Sequence, residues 1–88
     1  MKVVFLAKFS KDIDSLPNQE IKKKLADLIE IIEKTGTLSE IKNLKKLKGF
    51  KNAYRIKLGD FKIGFFFENN TIEFARIVHR KDIYKLFP

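Results

Sequence analysis

The 88-residue chain contains no cysteine, which excludes disulfide scaffolds, thiolate zinc sites and cysteine nucleophiles together. It has one histidine and no second His or Cys to join it, so the usual ligand set for a transition metal is missing. No run of about 18 apolar residues occurs, leaving nothing that would span a membrane. The N-terminal apolar run, Val3 to Ala7, is closed by Lys8 and is too short for the core of a signal peptide. A reducing, cytoplasmic location is the expectation, since absent cysteines permit it. Glycine and proline number only four and two, and no linker, repeat or low-complexity stretch is visible. A chain of this length has room for one core, so residues 1–88 are expected to form a single domain.

What the chain has in quantity is apolar mass and positive charge. Hydrophobic residues make up 44%, and nine residues are Phe, enough for a packed interior rather than a disordered segment. Nineteen Lys and Arg stand against eleven Asp and Glu, a net charge of +8 that favours a polyanionic partner: nucleic acid, an anionic membrane or an acidic protein. The excess is localised. Seven cations and no acid lie between Ile41 and Gly59 (Lys42, Lys45, Lys46, Lys48, Lys51, Arg55 and Lys57), and the rest of the chain is close to neutral. Such a run is either a solvated lysine-rich face or a binding stripe. Leu44, Leu47, Tyr54, Ile56 and Leu58 are threaded through it and point to an ordered segment, a better polyanion footprint than a loose tail.

Residues 2–7 (KVVFLA) read as a short buried strand. Phe9, Ile13 and Leu16 then mark one face of a short helix, which Ser10 would cap and Pro17 would close. Asn18 is the N-cap expected for a longer helix whose apolar stripe is Ile21, Leu25, Leu28, Ile29 and Ile32, with Gly36 standing where a left-handed residue would end it. A weak alternation from Asn43 to Lys48 breaks at Gly49. Tyr54 to Leu58 alternates cleanly, and Gly59-Asp60 is a Gly-first hairpin turn into Phe61–Phe67. Glu68 to Thr71, with two Asn tolerant of positive φ, is a second turn into Ile72–Val78. Residues 80–87 read as an ordered tail or one helical turn. The expectation is an α+β fold, β-α-α-β-β-β, with the N-terminal strand and helical hairpin packed on one face of an antiparallel sheet.

The first turn sets a register: Leu58 faces Phe61, Lys57 faces Lys62, Ile56 faces Ile63 and Arg55 faces Gly64. Tyr54, Ile56, Leu58, Phe61, Ile63, Phe65 and Phe67 then share the core face. Arg55, Lys57 and Lys62 share the other, with Gly64 expected to leave open space beside them and Phe66 to support a base or a partner helix. Two lysines directly opposite cost on the order of a few tenths of a kcal/mol, a penalty that a bound phosphate would turn into a clamp. The alternative is that both ammoniums splay into water.

These residues also form a familiar pattern. Leu47-Lys48-Gly49, the strand-turn-strand YRIKLGDFKI from Tyr54 to Ile63, and HRKDIY from His79 to Tyr84 resemble the RelE/ParE superfamily of bacterial and archaeal toxins. The RelE branch is the most similar, and length and element order agree over essentially the whole chain. The resemblance implies a RelE-like, microbial-RNase-type toxin fold and the toxin half of a type II toxin–antitoxin pair. It further implies a ribosome-dependent mRNA endonuclease in which the ribose 2′-hydroxyl attacks the adjacent phosphate, leaving a 2′,3′-cyclic phosphate and a 5′-hydroxyl. No metal and no cofactor would take part. Matched by motif, the catalytic residues are Arg55, Lys57, Lys62, Arg80 and Tyr84, and the candidate substrate-binding residues around them are Lys45, Lys46, Lys48, Lys51, His79 and Lys81.

The implied roles have a physical rationale. Arg55, Lys62 and Arg80 would stabilise a phosphorane more than the ground state. Lys57, crowded by cations, is expected to have a depressed pKa and to accept the 2′-hydroxyl proton. Tyr84 would stack on or orient a nucleotide. His79 is either a general acid or base, or a structural histidine held at a strand end. Asp82 and Glu73, nine residues apart without companions, give no metal-ligand set. Two departures stand out: Lys62 occupies a position where the family often has the bidentate Arg, and Tyr84 lies closer to Arg80 than in the best-known RelE toxins. The competing expectations are a ParE-like toxin that inhibits DNA gyrase without cleaving RNA, and a degenerate toxin that only binds its antitoxin. The implied partners are an acidic cognate antitoxin, the ribosome and mRNA, with no membrane and no small-molecule cofactor.

Overall fold

In the computed structural model, which describes residues 1–88, Gly59 has φ +60° and Asp60 does not, the geometry of a Gly-first hairpin turn. It joins two strands, β3 (Ala53–Leu58) and β4 (Phe61–Glu68), in the expected register: Leu58 opposite Phe61, Lys57 opposite Lys62, Ile56 opposite Ile63 and Arg55 opposite Gly64. Asn69 and Asn70 both adopt positive φ, 51° and 55°, and turn the chain into β5 (Thr71–His79). Before these hairpins come β1 (Lys2–Phe5), α1 (Ala7–Asp14), α2 (Gln19–Lys34), a 3-10 turn at Leu38–Glu40 and β2 (Leu44–Lys46). After them comes α3 (Ile83–Leu86). The strand order is β1-β5-β4-β3-β2.

The α+β class and the helices on the sheet agree with the sequence expectation, and the details differ in four places. The sheet is mixed, because β1 runs parallel to β5 with Lys2 against Thr71; hydrophobic alternation carries no information on strand direction. The weakly alternating stretch after Asn43 supplies an extra edge strand, β2. Ser10 lies inside α1 rather than at its cap, since β1 ends at Phe5 and Leu6 becomes the N-cap residue. Gly36 is not left-handed. The last carbonyls of α2 are satisfied instead by the Thr35 hydroxyl and the Met1 amino group, while the Glu40 carboxylate accepts the Gly36 and Thr37 N–H groups. Asn18 caps α2 as expected, its Oδ1 accepting the Ile21 N–H at 3.0 Å.

The main core lies between the helices and the sheet and contains twelve buried residues, with Phe9, Phe65 and Phe74 at its centre in aromatic contact. At one end, Asp12 on α1 reaches β5 beyond the point where β1 stops. Its carboxylate accepts two bonds from the Arg76 guanidinium, at 2.7 and 3.0 Å, and one from the Ile77 N–H at 3.0 Å. A side chain thus takes the place of the missing strand partner.

The opposite face carries a second cluster of five buried residues: Leu47, Ala53, Ala75, Ile83 and Phe87. A bulge between Gly64 and Phe65 contributes to it, because Gly64 pairs with Arg76 and Phe65 with Phe74, leaving Ala75 unpaired. Gly64 does not border open space. The Phe87 ring sits directly against it, so that a Cβ there would collide with the ring. Phe66, expected to be free, packs on the same ring at 5.0 Å between centroids.

Candidate functional site

Three strands and one helix build the site. Register puts Lys45 of β2 beside Arg55 of β3, and Lys57 of β3 opposite Lys62 of β4, all on the face away from α1 and α2. On that face α3 is anchored by Ile83 and Phe87, 0% and 3% exposed, while Tyr84 between them is 60% exposed. One turn of helix therefore drives two apolar side chains into the sheet and holds a phenol over the cations. The Arg55 Nε–H donates to the Tyr84 hydroxyl at 3.2 Å. Lys62 Nζ lies 5.3 Å from the Tyr84 ring centroid, within cation–π range.

This environment lowers the Tyr84 pKa from its ordinary value. The hydrogen bond from Arg55 is the largest cause, partial burial opposes it, and the charges of Arg55, Lys62 and Lys45 add to the lowering. None of the four side chains has a carboxylate partner. The arrangement sets several cationic donors around a phenol whose oxygen already accepts a bond, a set of groups complementary to an anion.

The remaining predicted residues divide. Lys57 is exposed beside Lys62 and makes no ion pair. Arg80 lies in the turn after β5, its N–H donating to the Asp60 carbonyl at 2.8 Å, and its exposed side chain makes no ion pair. Lys46 and Lys48 stand at the rim of a cleft with Tyr84, whereas Lys51 is exposed in the β2–β3 loop outside it. His79 pairs with Phe61 on the helix face, its ring meeting the Phe61 ring edge-on at 5.9 Å, and its Nδ1 accepts the Lys81 N–H at 3.3 Å. That is the geometry of a histidine held at a strand end, turned away from Tyr84. Lys81 is exposed in the turn that follows.

The cleft has a volume of about 470 Å³ and lies between edge strand β2, the loop after it and the C-terminal residues. Lys45, Lys46, Lys48, Phe50 and Tyr84 line it, with Phe87 at its floor. Sequence reasoning passed over Phe50, which is 49% exposed. Its signal was available: an aromatic directly after Gly49, outside any alternating pattern, in the stretch without acids. No group of three or more His, Asp or Glu side chains comes together that could hold a metal ion.

No family model matches the chain. Over its full length it is 40% identical to toxin RelE3 of Methanocaldococcus jannaschii, with 100% of both chains covered. A chain of the RelB–RelE antitoxin–toxin complex from Methanococcus jannaschii superposes with a TM-score of 0.82 at 38% identity, covering 97% of this chain and 99% of that one. The archaeal RelE–RelB complex from Pyrococcus horikoshii OT3 gives a TM-score of 0.71 at 21% identity over 93% and 97% of the two chains, a likeness of fold.

Proposed function

The chain belongs to the RelE toxin family, and from that premise we propose that it is the toxin of a type II toxin–antitoxin pair, an endoribonuclease that cleaves mRNA on the ribosome without a metal ion. The observation that carries the reading is the convergence of Lys45, Arg55 and Lys62 on the Tyr84 phenol at one exposed face. In the reaction the 2′-oxygen forms a bond to phosphorus as the bond to the 5′-oxygen breaks. Lys57 takes the 2′-hydroxyl proton. Arg55, Lys62 and Arg80 face the charge that accumulates on the phosphorane, where fixed donors contribute most. Tyr84, with its oxygen already accepting from Arg55, gives its proton to the departing 5′-oxygen, and its lowered pKa makes it a better acid for that step.

The relatives from Methanococcus jannaschii and Pyrococcus horikoshii were solved as complexes with RelB, and a cognate antitoxin is the partner proposed here. Its acidic segment would cover the cationic face and fold as it binds. The test is an in vitro translation reaction with the purified full chain, mapping new mRNA ends. Cleavage products carry a 2′,3′-cyclic phosphate and a 5′-hydroxyl, and Lys57→Ala or Arg80→Ala abolishes them while the fold is kept. Intact mRNA in the presence of the wild-type protein, or full activity in both variants, overturns the proposal.

A further inference from the structure

The cleavage chemistry leaves two exposed aromatics unused, Phe5, which stacks on Phe9 and Phe74 of the core, and Phe50, which has no aromatic neighbour of that kind. Phe50 is 49% exposed and belongs to neither buried cluster, yet it lines the 470 Å³ cleft together with Tyr84, itself 60% exposed. A single exposed Phe is ordinary on a protein surface. Two exposed rings bordering one concavity with Lys45, Lys46 and Lys48, and no acid among the lining residues, make a different object. Its volume is in the range of about 300–1,000 Å³ common for small-ligand sites. It also opens onto the reacting face, since Tyr84 lines the cleft and accepts the Arg55 hydrogen bond.

We propose that this cleft is a nucleotide subsite for single-stranded RNA next to the scissile phosphate. The base stacks on Phe50, the adjoining phosphates lie against Lys45, which register sets beside Arg55, and Lys48, and the strand passes Tyr84 to reach Arg55 and Lys62. Stacking suits this role because every base has a π-face, and flanking ammoniums track the backbone without reading sequence. Gly49, at φ +83°, supports the arrangement by turning the chain so that the residue after it stands clear of the sheet. An acidic peptide would also meet the lysines, but continuity with the phosphate-binding cations favours RNA. The assignment rests on the cleavage reading above, and the two can fail separately.

The decisive measurement is single-turnover cleavage by the full chain on ribosomes carrying a short mRNA. Phe50→Ala raises the protein concentration for half-maximal rate about tenfold, the order expected for one lost stacked base, and leaves the maximal rate within about twofold; Phe50→Trp restores the wild-type value. Unchanged half-saturation in Phe50→Ala, with an active wild type, overturns the subsite and leaves the cleavage reading standing. Weakened antitoxin binding with unchanged cleavage parameters also overturns it and gives the cleft to the protein partner. A wild type that does not cleave overturns the cleavage reading instead. The subsite is then decided by fluorescence, for the chain has no Trp and Phe50→Trp is its only such reporter. Titration with 2′-O-methylated hexaadenylate quenches it saturably, and Lys45→Glu with Lys48→Glu removes the effect; an unquenched signal overturns the subsite.

Discussion

The two faces of the sheet are built on different terms. Beneath α1 and α2 lie twelve buried residues contributed by both helices and by the sheet. The other face has five, held by a helix of four residues, and the rest of it is largely cationic. One face supplies stability and the other spends a little of it. They are nevertheless coupled through register. A slip of one residue between β3 and β4 would exchange Arg55 and Lys57 with Tyr54 and Ile56, exposing the core and burying the charges. The apolar face therefore fixes where the strand cations stand.

Mutations can break or sharpen that contrast. Phe65→Ala removes a ring with 0% exposure from the main core and should cost about 3–5 kcal/mol, much of the roughly 5–15 kcal/mol typical of a folded domain; both faces collapse together in a urea melt. Asp12→Ala leaves Arg76, whose side chain is 17% exposed, without its partner and the Ile77 N–H unpaired. A loss of about 2–3 kcal/mol is expected by the same measurement. Phe87→Ala should cost less globally, about 1–2 kcal/mol, because α3 can undock while the main core stays intact. Amide exchange should then rise in residues 83–87 and remain slow in β4 and β5; a loss equal to that of Phe65→Ala would erase the distinction between the faces.

A titration probes the contrast more gently. The folded-state Tyr84 pKa is lowered, so the stability linked to its ionisation is fully present above the ordinary phenol pKa and is lost as pH falls through the lowered one. Absorbance titration of the two tyrosines should resolve a component that Tyr84→Phe removes and Arg55→Ala moves back up. The smallest effect belongs to Lys62→Glu, which replaces a like-charge pair across from Lys57 with an opposite one. It should stabilise the sheet by a few tenths of a kcal/mol while abolishing the proposed cleavage.

What was legible in the chain was what local chemistry determines. Gly59-Asp60 and Asn69-Asn70 declare their turns because few other residues accept those φ values, and from the first turn the pairing of Arg55, Lys57 and Lys62 follows by counting. The α2 stripe and its Asn18 cap were equally plain. The features that escaped depend on distant partners. Nothing near Gly64 announces that Phe87 will fill its notch, and nothing near Asp12 reveals an arginine 64 residues away. The direction of β1 and the short pairing of β2 have the same origin, since neighbouring strands rather than intrinsic preference define them. Within the candidate site, the strand cations could be grouped in advance. The hydrogen bond between Arg55 and Tyr84, and the cleft that contains Phe50, needed the tail to be seen docked.

The parallel pairing of β1 with β5 has a consequence for how the molecule comes into being. Lys2 to Phe5 find their neighbours only at Thr71 to Phe74, so the first strand to leave a ribosome waits unpaired through most of synthesis. Tyr84 and its helix are made later still. The nascent polypeptide thus stays without its completed sheet, and without the assembled cationic face, until translation has passed these positions, a built-in delay between making this protein and arming it.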